Sequence, residues 1–413
     1  MILNKFARYA LILLIIIVCA IQLPFFYYKT VHKPTGSPRF YYSPIIEDFA
    51  IMQHSNGKME FRDNQGNKYN RRSFEKILPF QFYRDLSKWG VLPDTICGLA
   101  IDASVIHHNS TRYRLMGKDF DLPQIKLYPL FESESDFAQL QFPSNFFRIN
   151  DKIEFITASE NKIDEELSEK FNTALIKAEF KFPAKIIAGL PTTKKPFDEG
   201  YFIVDNSNTV FHMKKVKSEP SIVKTPIPQD LDIRKITIQE TVTQKVYGFL
   251  VTNKDEIFMI SYDNYKLLPI ELDDFVADKM DLAIGVDPLF MNFTYDDNYN
   301  FYSAVYDTNF QFIDKMKIAM TPKKEKITEK VKYALFPFSI KTSDSFSNLK
   351  QFKFNMHSSL SIVGIILSLI IGFMVKIKRQ EDLKSSWFDF VIIAFTGVYG
   401  LLGVIFIKTD IWD

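Results

Sequence analysis

Three apolar runs bracket a long stretch of mixed polarity. The first, "YALILLIIIVCAIQLPFFYY" at residues 9–28, is about twenty residues long, enough for a helix to cross a hydrocarbon layer of about 30 Å. Pro24 and the aromatic group Phe25, Phe26, Tyr27 and Tyr28 suit the water interface. Two further runs, "MHSSLSIVGIILSLIIGFMV" (356–375) and "WFDFVIIAFTGVYGLLGVIFI" (387–407), flank the basic loop "KIKRQEDLKSS" and predict a transmembrane helical hairpin. The pattern therefore predicts an N-terminal transmembrane anchor (1–28), an extracytoplasmic domain (29–355), a C-terminal hairpin (356–407) and a short external tail (408–413), with three crossings in all. A cleaved signal peptide would also place Lys5 and Arg8 before an apolar run, but no small-x-small site follows it, and Val18 before Cys19 is a poor lipoprotein signal. An uncleaved anchor fits better.

Orientation follows from basic residues. Lys5 and Arg8 precede the first run, and Lys376, Lys378, Arg379 and Lys384 fill the loop between the last two, which the positive-inside rule assigns to the cytoplasm. The expectation is a bacterial inner-membrane protein with its N-terminus cytoplasmic and both the large domain and the C-terminus periplasmic. Lys29, Lys33 and Arg39 run against this assignment, although long translocated domains tolerate flanking charge.

Between the anchors the periodicity changes. Asn56-Gly57, set between alternating runs, predicts a hairpin turn, because type I′ geometry needs positive φ. "RRSFEKILPFQFYRDLSKWGVLPD" predicts a helix capped by Ser73, interrupted at Pro79 and ended by Gly90 and Pro93. "SENKIDEELSEKFNTALIKAEF" predicts an amphipathic helix with Ile163, Leu167, Phe171, Leu175 and Ala178 or Ala174 on its apolar stripe. From about residue 200 to 320 the pattern is mostly strand. "DEGYFIVDNSNTVFHM", "YGFLVTNKDEIFMISY" and "FYSAVYDTNFQFIDKM" share one grammar at a spacing close to a propeller blade, with poor identity between copies. The expected fold class is α+β, rich in antiparallel sheet and either an irregular, propeller-like array or ordinary sheets without internal symmetry.

Composition narrows the chemistry. With 46% hydrophobic residues the 413-residue chain can bury a large core, and a net charge of +2 without a basic face gives no reason to expect nucleic acid as a partner. Cys19 and Cys97 cannot form a disulfide framework. Glu132, Glu134 and Asp136 would share one face if their segment were a strand, and with Asp151 they are weak acid/base candidates; a solvated edge or a cation or sugar site are the alternatives. His107 and His108 diverge too far on a strand or a helix to hold one metal ion, so a surface loop is expected, and His212 reads as a satisfied strand histidine. Asp296, Asp297 and Asn298 lack the following glycine and distant glutamate of a calcium loop and predict a turn. No phosphate-loop, G-x-S-x-G, H-E-x-x-H or C-x-x-C spacing occurs, so no cofactor and no metal are expected. Gly397, Gly400 and Gly403 repeat every three residues in the last run and predict a helix-packing ridge, against the second run or against a partner subunit. Asp389 is expected at the interface.

The segments "LPFQFYRDL", "LPDTICGLAID", "LYPLFESESDFAQLQFPSNFFRINDKIEFI" and "FPAKIIAGLPTTKKPFDEGYFIVDNSNTVFHMKKV" resemble an uncharacterised family of membrane-anchored proteins of Gram-negative anaerobes, often encoded beside ABC-transporter subunits. The resemblance implies a non-enzymatic accessory or scaffold subunit of an inner-membrane complex, with a permease as its integral membrane partner and an outer domain that binds a partner or substrate. It assigns no catalytic residue. A membrane-tethered periplasmic hydrolase acting on glycan or envelope polymer, and an envelope sensor, are the alternatives.

Overall fold

The computed structural model describes residues 2–31, 37–55, 58–122, 126–137, 139–297, 299–320, 327–342, 347–349, 352–384 and 386–408. The helices in chain order are α1 (Ile2–Val31), α2 (Arg71–Ile77), α3 (Pro79–Lys88), α4 (Ala103–Asn109), α5 (Glu165–Lys177), α6 (Ile327–Leu335), α7 (Ser361–Lys378), α8 (Trp387–Thr396) and α9 (Val398–Phe406). The class is α+β, and the strand pairings are antiparallel apart from one isolated bridge.

Sheet packing organises the large domain between the apolar runs. Sheet I has three strands (Arg39–Ser43, Asp48–Ser55, Lys58–Asp63), and the pair Ser55 and Lys58 closes its hairpin across Asn56-Gly57, which lies outside the described residues. Three four-stranded meanders follow: sheet II (Tyr128–Pro129, Asn145–Ile149, Ile153–Thr157, Lys162–Asp164), sheet III (Ile186–Gly189, Tyr201–Val204, Val210–Val216, Glu219–Lys224) and sheet IV (Ile233–Ile238, Val246–Thr252, Ile257–Ser261, Leu267–Ile270). Sheet V joins Leu282–Val286, Phe290–Asp296, Asn300–Asp307 and Phe312–Ala319 to Thr111–Leu115 at its edge. Neighbouring sheets bury their apolar faces against one another. Phe147, Phe155 and Tyr201 fill the core between II and III; Phe202, Leu250 and Ile260 that between III and IV; Phe249, Met259 and Phe293 that between IV and V. Phe40, Phe49 and Val305 then join V to I. The result is a row of sheets in the order II, III, IV, V and I, and the blade-like repeat in the sequence corresponds to the consecutive meanders.

The helices differ in detail from the pattern that predicts them. Leu78, just before Pro79, separates α2 from α3, and α2 is capped by Asn70 rather than Ser73, because the Asn70 side chain accepts from the Ser73 amide. Asp164 caps α5, which starts too late to include Ile163; that residue sits in the preceding strand, 38% exposed. Phe171 and Leu175 are fully buried against sheets II and III.

Asn4–Val31 and Ser361–Lys378 are long and apolar enough to cross a membrane. The run at 387–407 is not one helix. It breaks at Gly397, whose φ of 57° and ψ of −129° no helix contains, and α9 folds back on α8. A Cβ on Gly400 would meet Ile392 and Thr396 of α8, and one on Gly403 would meet Ile12 of α1. A hairpin of two helices of 10 and 9 residues reaches only about 15 Å at 1.5 Å per residue, half of what a full crossing requires. The run expected as one helix is therefore a hairpin of two short helices, and the three glycines do not form one ridge: Gly397 makes the turn, and the other two face different helices.

Candidate functional site

The carboxylates singled out in the sequence do not converge. The segment that carries Glu132, Glu134 and Asp136 is a loop, apart from one bridge at Glu132, so strand alternation does not align them. Glu132 instead accepts hydrogen bonds from the amides of Lys217 and Ser218 (2.6 and 3.0 Å), the two positive-φ residues that turn the last hairpin of sheet III. Glu134 reaches Lys217 at the surface, while Asp136 and Asp151, in the turn of sheet II's hairpin, are exposed. His107 and His108 lie on α4 rather than a loop, exposed and engaged with Tyr83 and Ser104 respectively. Asp297 accepts from the amides of Tyr299 and Asn300 in a turn, and Asn298 lies outside the described residues. Among the described residues no group of three or more His, Cys, Asp or Glu side chains could hold a metal ion.

Two buried ionic networks are present instead. The first joins the apolar helices from the two ends of the sequence. The Arg8 guanidinium donates to both oxygens of Asp389 at 2.9 and 2.8 Å, a bidentate geometry that suits the planar fork. Lys376 lies 2.7 Å from Asp389 and pairs with Glu381 as well. Arg8, Lys376 and Asp389 are at most 3% exposed, so Asp389 is sealed inside the helix cluster. Arg8 also donates to the carbonyl of Ile407 and Arg379 to that of Ile405, satisfying acceptors that the end of α9 leaves open. The starts of α1 and α8 and the ends of α7 and α9 thus meet at one place.

The second network lies where sheets II, III and IV meet. Lys195 donates to Asp198 (2.6 Å) and Glu240 (2.9 Å), and its ammonium sits 4.8 Å over the Phe131 ring. Ser133 and the Gly200 amide donate to Asp198, and the Glu199 amide donates to Glu240. Burial outweighs the stabilising effect of Lys195 and pushes the Glu240 carboxyl up to about 7. Alongside, buried His212 accepts at Nδ1 from the Tyr265 hydroxyl and donates from Nε2 to the Glu199 carbonyl, a tautomer set by its two partners. It stacks on Phe202, and burial, with Lys214 adding to it, brings its pKa down to about 4. The side chains of Lys195 and Asp198 are 1% and 0% exposed, so this network binds the sheets to one another and presents no ligand surface.

The open surface lies elsewhere. A cleft of about 820 Å³ runs between the first strand of sheet I, the start of α3 and the outward face of sheet V. Its size falls within the range of small-molecule sites. Arg39, Arg112 and Arg114 border it, and Asp287 at its end accepts from the amides of Leu289 and Phe290 while burial raises its carboxyl to about 7. Single-sequence reasoning passed over these arginines, although Arg112 and Arg114 alternate with buried Tyr113 and Leu115 in a strand-like pattern that places them on one face.

No curated protein matches the chain. The family described as domain of unknown function (DUF4857) matches residues 39–305, from the first strand of sheet I into sheet V, and so spans the buried network of Lys195 and almost all of the cleft. The chain belongs to this DUF4857 family.

Proposed function

We propose that the protein is a non-enzymatic accessory subunit of an inner-membrane complex, of the ABC-transporter type, which holds a binding domain outside the cytoplasm on a preassembled membrane base. The observation that carries this reading is the sealed Arg8–Asp389–Lys376 network, because it locks α1, α7 and the re-entrant hairpin into one unit instead of leaving separate tethers. Lys5, Lys378, Arg379 and Lys384 lie at the same end, which the positive-inside rule assigns to the cytoplasm, so the outer domain faces the periplasm. With α9 turned back, Lys408 returns to the side of Lys5, in place of the external tail expected for three full crossings. Exposed apolar side chains on α1 and α7, among them Leu13, Leu14, Leu367 and Ile370, suit lipid or the helices of a permease. The dispersed positions of Glu132, Glu134, Asp136 and Asp151 give the hydrolase alternative no support.

Capture of the full-length protein after mild detergent extraction tests the proposal. An integral membrane partner should copurify, and a cysteine at position 408 should be labelled from the same side as one at position 5. Recovery of the protein without a membrane partner would overturn the accessory role.

A further inference from the structure

The outward face of sheet V has an unusual floor. Pairing places Arg112 beside Gly285 and Arg114 beside Ala283, and the next strand sets Asn292 and Thr294 against the same two small residues. A Cβ built on Gly285 meets nothing within 4 Å. The first strand of sheet I overhangs this floor, held there by the Asn292 amide donating to the Phe40 carbonyl at 2.9 Å. Two small residues thus leave a trough, with long cationic side chains on one bank and Arg39 on the other.

The charge in that trough is unbalanced. Arg112 donates to a neutral partner, the Gln81 amide oxygen at 3.0 Å, and among the described residues Arg39 and Arg114 have no carboxylate partner. Asp287 is the acidic lining residue, and two backbone amides already engage it. Many other surface lysines and arginines of this domain do pair: Lys170 with Glu219, Lys224 with Glu179, Arg234 with Asp278, Lys315 with Asp273 and Lys317 with Asp274. Arg112 and Arg114 are two residues apart on one strand face, about 7 Å at 3.3–3.4 Å per residue, a separation that two neighbouring phosphoryl groups can bridge. Guanidinium forks favour bidentate contact with such oxygens, and Tyr83 and Phe80 supply an apolar wall for whatever carries them.

We propose that this cleft binds a phosphate-bearing ligand, clamped by Arg112 and Arg114 over Gly285 and closed from the far bank by Arg39. The shared chemistry is a phosphoryl group, whether on a small solute or on the headgroup of an anionic phospholipid. The proposal deepens the reading of the outer domain as a binding module, but its test measures ligand binding while that of the accessory role measures copurification. Either can fail alone.

The test uses the full-length protein in nanodiscs of phosphatidylcholine, with inorganic pyrophosphate and glycerol 3-phosphate titrated by calorimetry. A parallel set of nanodiscs containing phosphatidylglycerol is compared by thermal unfolding. Wild-type protein should bind at least one probe, R112Q/R114Q should bind it tenfold or more weakly, and higher salt should weaken binding further. Gly285→Phe, which fills the trough while leaving both arginines in place, should also abolish binding. Its unchanged unfolding temperature without ligand would show that the fold is retained. Response to the soluble probes identifies a solute site, and response to phosphatidylglycerol alone identifies a lipid headgroup site. No binding of any probe by wild type, or equal binding by wild type and R112Q/R114Q, would overturn the proposal.

Discussion

The helical base and the sheet-rich domain each bury a lysine between two carboxylates: Lys376 between Glu381 and Asp389, and Lys195 between Asp198 and Glu240. They settle the charge differently. At the base Arg8 adds a second buried cation, and partly exposed Arg379 lies 3.8 Å from Glu381, so each carboxylate is met by cationic side chains. In the outer domain one cation faces two carboxylates, and the excess is relieved by the Glu199 and Gly200 amides, by Ser133 and by the rise of Glu240 toward neutrality. A cluster among helices, whose backbone amides are largely spent on helical hydrogen bonds, must find its counter-charges in side chains, whereas a site inside a β-rich domain can draw on free loop amides and on protonation. The two networks also join different things. One ties residues 381 positions apart, the other neighbouring sheets.

Removing one partner tests this difference most strongly at the base. Asp389→Ala leaves Arg8 and Lys376 buried together and should cost about 3–5 kcal/mol, read as a large fall in unfolding temperature in detergent. An apolar exchange of both members, Arg8→Met with Asp389→Leu, should recover much of that loss; if it does not, the pair does more than neutralise charge. Lys195→Met should cost less, about 2–4 kcal/mol, because Glu240 can take up a proton, and Glu240→Gln in the same chain should restore part of it.

Acidification separates the two regions next. His212 is held well below its ordinary 6.5, at about 4, so the native state favours the neutral ring. The stability this contributes is complete above pH 6.5 and is lost as pH falls through about 4, up to about 3 kcal/mol at 1.36 kcal/mol per pH unit. Glu240 has the opposite sign: raised to about 7, it contributes stability below pH 4.5 that is lost as pH rises through 7. Denaturant titrations from pH 4 to 8 should therefore show His212→Gln flattening the acid limb and Glu240→Gln the other. An unchanged acid limb in His212→Gln would place that sensitivity elsewhere.

Smaller effects probe the turns. Gly397→Ala forces an L side chain into positive φ beside Pro337 and Ile365 and should cost about 1–3 kcal/mol, seen as a lower unfolding temperature. Glu132→Ala removes the cap on the turn at Lys217 and Ser218 and should cost about 1 kcal/mol, while Asp136→Ala and Asp151→Ala should leave stability unchanged. Loss of cellular function in Asp136→Ala or Asp151→Ala without loss of stability would revive the hydrolase alternative.

Local patterns carried much of the architecture. The apolar runs, the split at Pro79, the α5 stripe of Leu167, Phe171 and Leu175, and the blade-like repeats were legible because each depends on neighbours within a few residues. The candidate site was not. Arg112 and Arg114 share a face by strand alternation alone, but the trough beside them exists only because Gly285 and Ala283, some 170 residues away, pair with that strand and sheet I closes over it. Likewise, an apolar run of 21 residues is the same in composition whether it crosses a bilayer or turns back halfway. Hydropathy determined that it would form apolar helix; the φ of Gly397 and the pairing of Arg8 with Asp389, a contact across 381 positions of the chain, determined that the helix would break and fold back.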